Sequence, residues 1–129
     1  MNDIERRDLI KRTKMFALRI IKLYVSLPKT TVAQVIGKQV VRSGTSVGAH
    51  YREAKRARSM AEFVSKIEGA LQELDETIYW LELLCESGIV PETRLTSLKT
   101  EAEELMRMLV SSAKLPRKTD SSAFINHRS

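Results

Sequence analysis

The chain has 129 residues and a mass of 14.7 kDa, which is the size of a single domain. No apolar run is long enough to cross a membrane, and no apolar signal core follows the charged N-terminus, so a cytoplasmic location is expected. The single cysteine, Cys85, has no partner for a disulfide within these residues. Aromatic residues make up only 5% of the chain, so the expected core is aliphatic.

Charge divides the chain into two halves. Residues 1–58 contain fourteen Lys or Arg and four Asp or Glu, whereas residues 59–129 contain eight and twelve. This asymmetry indicates that the first half is able to face a polyanion. The alternative is that basic and acidic helices neutralise each other, within one subunit or between subunits.

The first predicted helix runs from about Asp3 to Ser26 and ends before Pro28, because the residue preceding a proline disfavours helical geometry. One apolar face recurs at steps of four and three: Leu9, Thr13, Phe16, Ile20, Leu23 and Leu27. A second apolar stripe points nearly the opposite way: Leu18, Ile21 and Val25. A helix that is apolar on two sides is covered on two sides. The second stripe therefore predicts an oligomer interface, with packing under the C-terminal tail as the alternative.

The second helix is predicted to begin at Thr30 or Thr31, because Thr31 and Gln34 fit a capping box. Its predicted core face is Ile36, Val40, Ser43, Val47, Tyr51 and Ala54. Small residues crowd its middle: Gly37, Ser43, Gly44, Ser46, Gly48 and Ala49. Each glycine costs roughly 1 kcal/mol of helix propensity relative to alanine. We therefore expect a neighbouring helix to approach closely there.

The outward face of the second helix is basic. Its candidate nucleic-acid contacts are Lys38, Arg42, Arg52, Lys55, Arg56 and Arg58, extended by Arg6, Arg7, Lys11 and Arg12 of the first helix. Contacts of this kind with phosphates depend on salt and very little on base sequence. The alternatives are a solvated face or pairing with acidic residues of a neighbouring subunit.

The third helix is predicted to start at Ser59, which forms a capping box with Glu62, and to end at Gly88. Its predicted core face is Phe63, Ile67, Ala70, Leu74, Ile78, Leu81 and Cys85. Trp80 and Leu84 lie to one side of that face. They are predicted to join the oligomer interface.

The fourth helix is predicted to run from Pro91 to Pro116, since proline suits the first helical position and prevents continuation of a helix. Its apolar stripe is Leu95, Leu98, Ala102, Leu105, Leu109 and Ala113. Four helices with short connections predict an all-α, antiparallel up-down-up-down bundle over residues 1–115, assembling as a homo-oligomer. Residues 116–129 are predicted to form a flexible tail.

Two segments carry a family resemblance: RSGTSVGAHYREAKRARS and EFVSKIEGALQELDETIYWLELLCESG. They resemble the four-helix-bundle family known as 23S rRNA intervening-sequence proteins, and the likeness covers roughly residues 16–104. Its more specific positions are Arg42, Ser43, Ser46, Glu53, Arg58, Ser59, Glu62, Phe63, Glu73 and Trp80. The sequence departs from the family pattern at His50, where an asparagine is expected.

The resemblance implies a bacterial homopentamer with a central channel. Some members of the family are encoded in insertions within large-subunit rRNA genes. Similar bundles are accessory proteins of diversity-generating retroelements, where a basic ring binds nucleic acid and a reverse transcriptase. The implied function is association with RNA or DNA. The alternatives are an adaptor for a protein such as a reverse transcriptase, and a structural homo-oligomer without a ligand.

Catalytic and metal-binding patterns are weak. His50 and Glu53 have a spacing that can bind a metal, but a di-metal bundle site needs Glu-x-x-His from two helices, and the other histidine, His127, lies in the predicted tail. Neither Ser46 nor Cys85 has a histidine placed to activate it. We therefore expect no enzymatic activity, no cofactor and no metal, with His50 hydrogen-bonded and Glu53 paired with an arginine.

Overall fold

The computed structural model describes residues 3–114, and the side chains of residues 8–114. This part of the chain forms four helices: α1 (Asp3–Ser26), α2 (Thr31–Lys55), α3 (Met60–Glu86) and α4 (Glu92–Lys114). Each helix packs on the next, and α1 also packs on α4, so the four helices close into a bundle. None of these helices combines the length and apolar character needed to cross a membrane. The predicted tail, 116–129, lies outside the described residues.

The boundaries of α3 follow the predicted capping. Ser59 Oγ accepts a hydrogen bond from the backbone N–H of Glu62 at 3.0 Å, and Glu62 Oε2 accepts from the backbone N–H of Arg58 at 3.3 Å. Gly88 follows the helix with φ +79°, a left-handed conformation that glycine adopts without steric cost. Both predicted ends of this helix are confirmed.

The start of α2 agrees with the prediction, but the capping differs. Thr30 is the N-cap, and its hydroxyl accepts a hydrogen bond from the backbone N–H of Ala33 at 3.3 Å. Thr31 is the first helical residue, so the proposed Thr31–Gln34 capping box is wrong. The Gln34 amide instead donates to the carbonyl of Pro28 at 2.9 Å, which fixes the turn between α1 and α2.

Most of the predicted core positions are buried, and the face of α3 needs a correction. Thr77 and Leu84 are completely buried, whereas Ile78 and Cys85 are only half-buried. The Thr77 hydroxyl lies 2.8 Å from Ser43 Oγ, so a hydrogen bond between α2 and α3 removes the cost of burying it. The core face of α3 therefore shifts by one residue in its second half.

Three glycines of α2 allow α1 to approach closely, as the small residues predicted. A Cβ atom on Gly44 would lie 2.8 Å from Ile20 Cγ1, and one on Gly37 would lie 2.7 Å from Leu27 Cδ1. A Cβ atom on Gly48 would lie 3.1 Å from the hydroxyl of Thr13, in the middle of α1. A side chain at Gly37 or Gly44 would therefore force its neighbour to move, and one at Gly48 would make a tight contact.

Gly44→Ala is expected to destabilise the protein by up to about 2 kcal/mol. Overpacking against the branched Ile20 side chain costs roughly 1–3 kcal/mol, and the gain in helix propensity returns about 1 kcal/mol. Urea denaturation followed by circular dichroism measures the difference. Gly69→Ala is the matched control, because its new Cβ atom would meet the ring of His50 at 3.1 Å. The His50 side chain is 32% exposed and its Nδ1 atom has no hydrogen-bond partner within residues 8–114, so a small rotation of the ring would relieve the contact. The control is therefore expected to be neutral or stabilising, whereas stabilisation by Gly44→Ala would contradict the packing account.

Candidate nucleic-acid interface

The α1–α2 side of the bundle is basic. Among the described side chains of residues 8–55, only Asp8 and Glu53 are acidic. Asp8 lies 3.9 Å from Arg12, and Glu53 lies 3.6 Å from Lys66 of α3. Both carboxylates are therefore engaged at the edges of this side, and the outer surface between them carries positive charge.

Four of the predicted phosphate contacts form a set that we call the basic face of α2: Lys38, Arg52, Arg56 and Arg58. Their side chains are exposed and have no hydrogen-bond or ion-pair partner within residues 8–114. Lys55 is half-buried between them. Because no carboxylate of the described chain neutralises these four cations, they remain available to an external anion.

Arg42 does not belong to that set. Its guanidinium contacts Glu73 Oε1 at 3.4 Å and also pairs with Glu76. Glu76 in turn accepts a hydrogen bond from Trp80 Nε1 at 3.2 Å, and Trp80 is half-buried against the core. At Arg42, acidic residues of α3 neutralise a basic residue of α2 within one subunit, which is the alternative that the charge asymmetry left open.

Arg12 is also committed to a contact inside the bundle. Its Nε and Nη2 atoms donate to the two carboxylate oxygens of Glu101 at 3.1 and 2.8 Å. This hydrogen bonding raises the pKa of Arg12 above its usual value, against the opposing effect of burial. Of the α1 residues expected to extend the basic surface, Arg12 is therefore excluded and Lys11, which is exposed, remains. The side chains of Arg6 and Arg7 lie outside the described part of the chain.

The predicted interface stripe on α1 is exposed. Leu18, Ile21 and Val25 are 51%, 42% and 68% accessible, and Met15, which the apolar periodicity did not single out, is 51% accessible. Leu84 is a correction: it is completely buried in the core, because the core face of α3 shifts in its second half. An apolar surface of this kind on one helix favours contact with another apolar surface.

The structure also reveals a groove that sequence reasoning missed. It lies between α1 and α2, has a volume of about 340 Å³ and includes Lys14 and Arg52 in its lining. Lys14 is exposed and lies one turn after Lys11. Its spacing from Lys11 was visible in the sequence, but only the packing of α1 on α2 places it beside Arg52.

The profile of a family described as 23S rRNA-intervening sequence protein matches residues 5–111. The chain belongs to this family. A solved structure of a protein of unknown function from the S23 ribosomal protein family of Bacteroides thetaiotaomicron VPI-5482 is 37% identical. That match covers 86% of this chain and 99% of the other, with a TM-score of 0.81. No curated protein shows a significant match to the chain.

The positions that carried the resemblance to the 23S rRNA-intervening sequence proteins lie along the contact between α2 and α3. Arg42 pairs with Glu73 there, and Ser43 bonds Thr77. Ser59 caps α3 at the end of the same contact. These residues position the two helices, which is a structural role for the most recognisable part of the family sequence.

His50 is the position at which this member of the 23S rRNA-intervening sequence protein family departs from the family pattern. Its Nδ1 atom lies 3.3 Å from Glu53 Oε1, but the geometry is not that of a hydrogen bond, so the expected hydrogen bond of His50 is not found within residues 8–114. Glu53 pairs with Lys66 and not with an arginine. Among the described residues, no three side chains of the metal-binding types come together.

Proposed function

We propose that the protein is a non-enzymatic, oligomeric four-helix bundle that binds the backbone of RNA or DNA. The observation that carries this proposal is the basic face of α2, whose cations have no carboxylate partner in the described chain. Uncompensated positive charge on one side of a protein attracts polyanions and releases their counterions on binding. Membership of the 23S rRNA-intervening sequence protein family also supports the proposal of nucleic-acid binding.

An antiparallel, up-down-up-down order of the helices accounts for how the cations gather. Gly48 of α2 lies against Thr13 in the middle of α1, whereas Gly37 lies against Leu27, just after its end. The pairs between α2 and α3, Arg42 with Glu73 and Glu53 with Lys66, run in the same reversed order. This order sets the basic first half of α1 beside the basic second half of α2.

Association of copies through the exposed stripe of α1 completes the proposal. Leu18, Ile21 and Val25 expose apolar surface that a second copy of the chain would remove from water. The resemblance to related bundles implies a ring of five. In a ring each subunit repeats the basic face, so that several modest phosphate contacts act together on one strand of nucleic acid.

Gel-shift measurements with a structured RNA and with a DNA duplex, across a salt series, test the proposed function. The wild-type protein is expected to shift both, with an affinity that falls steeply as salt increases and depends little on sequence. A wild-type protein that shifts neither nucleic acid near physiological salt would remove nucleic-acid binding from the account.

A second candidate function is an adaptor for an acidic protein. Val32 and Val35 are 59% and 57% exposed on α2, near Lys38. A surface that is both apolar and basic suits a partner protein better than it suits a phosphate backbone. Co-purification from the native host with nuclease added separates the two functions, because a protein partner that survives nuclease favours the adaptor.

A further inference from the structure

The α1–α2 groove brings together two cations from different helices. Its lining consists of Thr13, Lys14, Ala17, Thr45, Gly48, Ala49 and Arg52. We propose that this groove binds one phosphate of the nucleic-acid backbone between Lys14 and Arg52. The proposal rests on the proposed function and names the place where that function has its most specific contact.

Small residues keep the groove open. Ala17, Gly48 and Ala49 supply lining that extends no further than a Cβ atom. Beneath them the two helices touch, since a Cβ atom on Gly48 would lie 3.1 Å from Thr13 Oγ1. A phosphate is therefore able to approach the helices more closely here than on a surface covered by long side chains.

Within the groove, the side chains that can bind a phosphate are the two cations, Lys14 and Arg52. The hydroxyls of Thr13 and Thr45 already donate to backbone carbonyls of their own helices, each at 2.7 Å, and have no further hydrogen to offer. The guanidinium of Arg52 presents a planar fork of donors that matches two phosphate oxygens, and the ammonium of Lys14 supplies a compact charge. Arg52 of α2 would therefore orient the phosphate, and Lys14 of α1 would add a second positive charge.

No carboxylate offsets the charge of this groove. Its lining contains no acidic residue, and neither Lys14 nor Arg52 has a hydrogen-bond or ion-pair partner within residues 8–114. Two like charges on one groove repel each other, and an anion between them adds two attractions that outweigh this repulsion. A phosphodiester is the anion that the proposed function provides.

Fluorescence anisotropy with a labelled 20-base-pair DNA duplex tests the inference. Lys14→Gln is expected to weaken binding about fivefold at 0.15 M salt and to reduce the slope of log Kobs against log salt by about 0.9 for each phosphate that the variant no longer neutralises. Lys22→Gln is the matched control, because Lys22 is exposed on the same helix but lies outside the groove. It is expected to change the affinity less than twofold.

Ala49→Leu tests the shape of the groove without changing charge. Ala49 is exposed, so leucine there is compatible with folding, which circular dichroism verifies. The larger side chain is expected to reduce affinity severalfold by blocking the approach of the phosphate. If the wild type binds while Lys14→Gln and Lys22→Gln weaken binding equally and Ala49→Leu has no effect, the groove inference is overturned and the basic face of α2 stands. If the wild type does not bind the duplex, the proposed function fails together with the groove.

Discussion

Arg52→Glu combined with Arg56→Glu is expected to abolish the gel shift of both RNA and duplex DNA. Both side chains are exposed and unpaired within the described chain, so each substitution removes a cation that is available to phosphate. Leaving two phosphates without a cation weakens binding about thirtyfold at 0.15 M salt, and the two new carboxylates add repulsion. The gel shift across a salt series measures the weaker binding.

The control for this experiment carries the same change of charge on another helix. Arg107 and Lys114 are exposed on α4, and Arg107 is paired with Glu104 at 2.9 Å. Arg107→Glu with Lys114→Glu is expected to retain most of the binding, because these residues lie away from the α1–α2 side. Equal weakening in both double variants would mean that only the net charge of the protein matters and would contradict a defined binding face.

Ile21→Glu combined with Val25→Glu is expected to convert the proposed homo-oligomer into monomers. A carboxylate buried in an apolar interface without a partner loses its hydration, and this penalty far exceeds the contribution of a single aliphatic side chain. Light scattering at micromolar concentration is expected to give a multiple of 14.7 kDa for the wild type and a mass near 14.7 kDa for the double variant.

Two carboxylates added to a polar surface provide the comparison. Thr96 and Thr100 are exposed on α4. Thr96→Glu with Thr100→Glu is expected to leave the mass of the assembly unchanged. A monomeric wild type, or a double variant of Ile21 and Val25 that keeps the full mass, would show that the apolar stripe of α1 is not an interface.

The sequence predicted the helices well because apolar periodicity and capping are local signals. Ser59 and Gly88 mark the ends of α3, and the alternating steps of four and three in α1 identify both its buried face and its exposed stripe. The second half of α3 was harder to predict. Thr77 is polar, and only its hydrogen bond to Ser43 of another helix makes its burial favourable. Leu84 lies two turns after Thr77 on the same face of α3 and is also buried.

Charge pairing was the part of the site that sequence could not resolve. Arg42 and Arg52 look equivalent in the sequence, since both lie on the outward face of α2. The structure separates them, because Arg42 reaches Glu73 and Glu76 of α3 whereas Arg52 lines the groove beside α1. Which acidic residues lie opposite a helix depends on how the helices pack, and that information is not local.

The sequence also could not predict which helix packs against the small residues of α2. Gly37, Gly44 and Gly48 predicted a close contact but not the helix that makes it. Once α1 is placed there, Lys14 comes to the same groove as Arg52. The structure therefore adds Lys14 and the α1–α2 groove to the basic residues that the sequence indicated.

Lysine labelling with an acetylating reagent, read by mass spectrometry with and without a DNA duplex, tests the binding face most directly. Lys14, Lys38 and Lys114 are all exposed, so each reacts in the free protein. We expect the duplex to protect Lys14 and Lys38 and to leave the reactivity of Lys114 on α4 unchanged. Protection of Lys114 alone, or equal reactivity of all three with and without the duplex, would contradict nucleic-acid binding by the α1–α2 side.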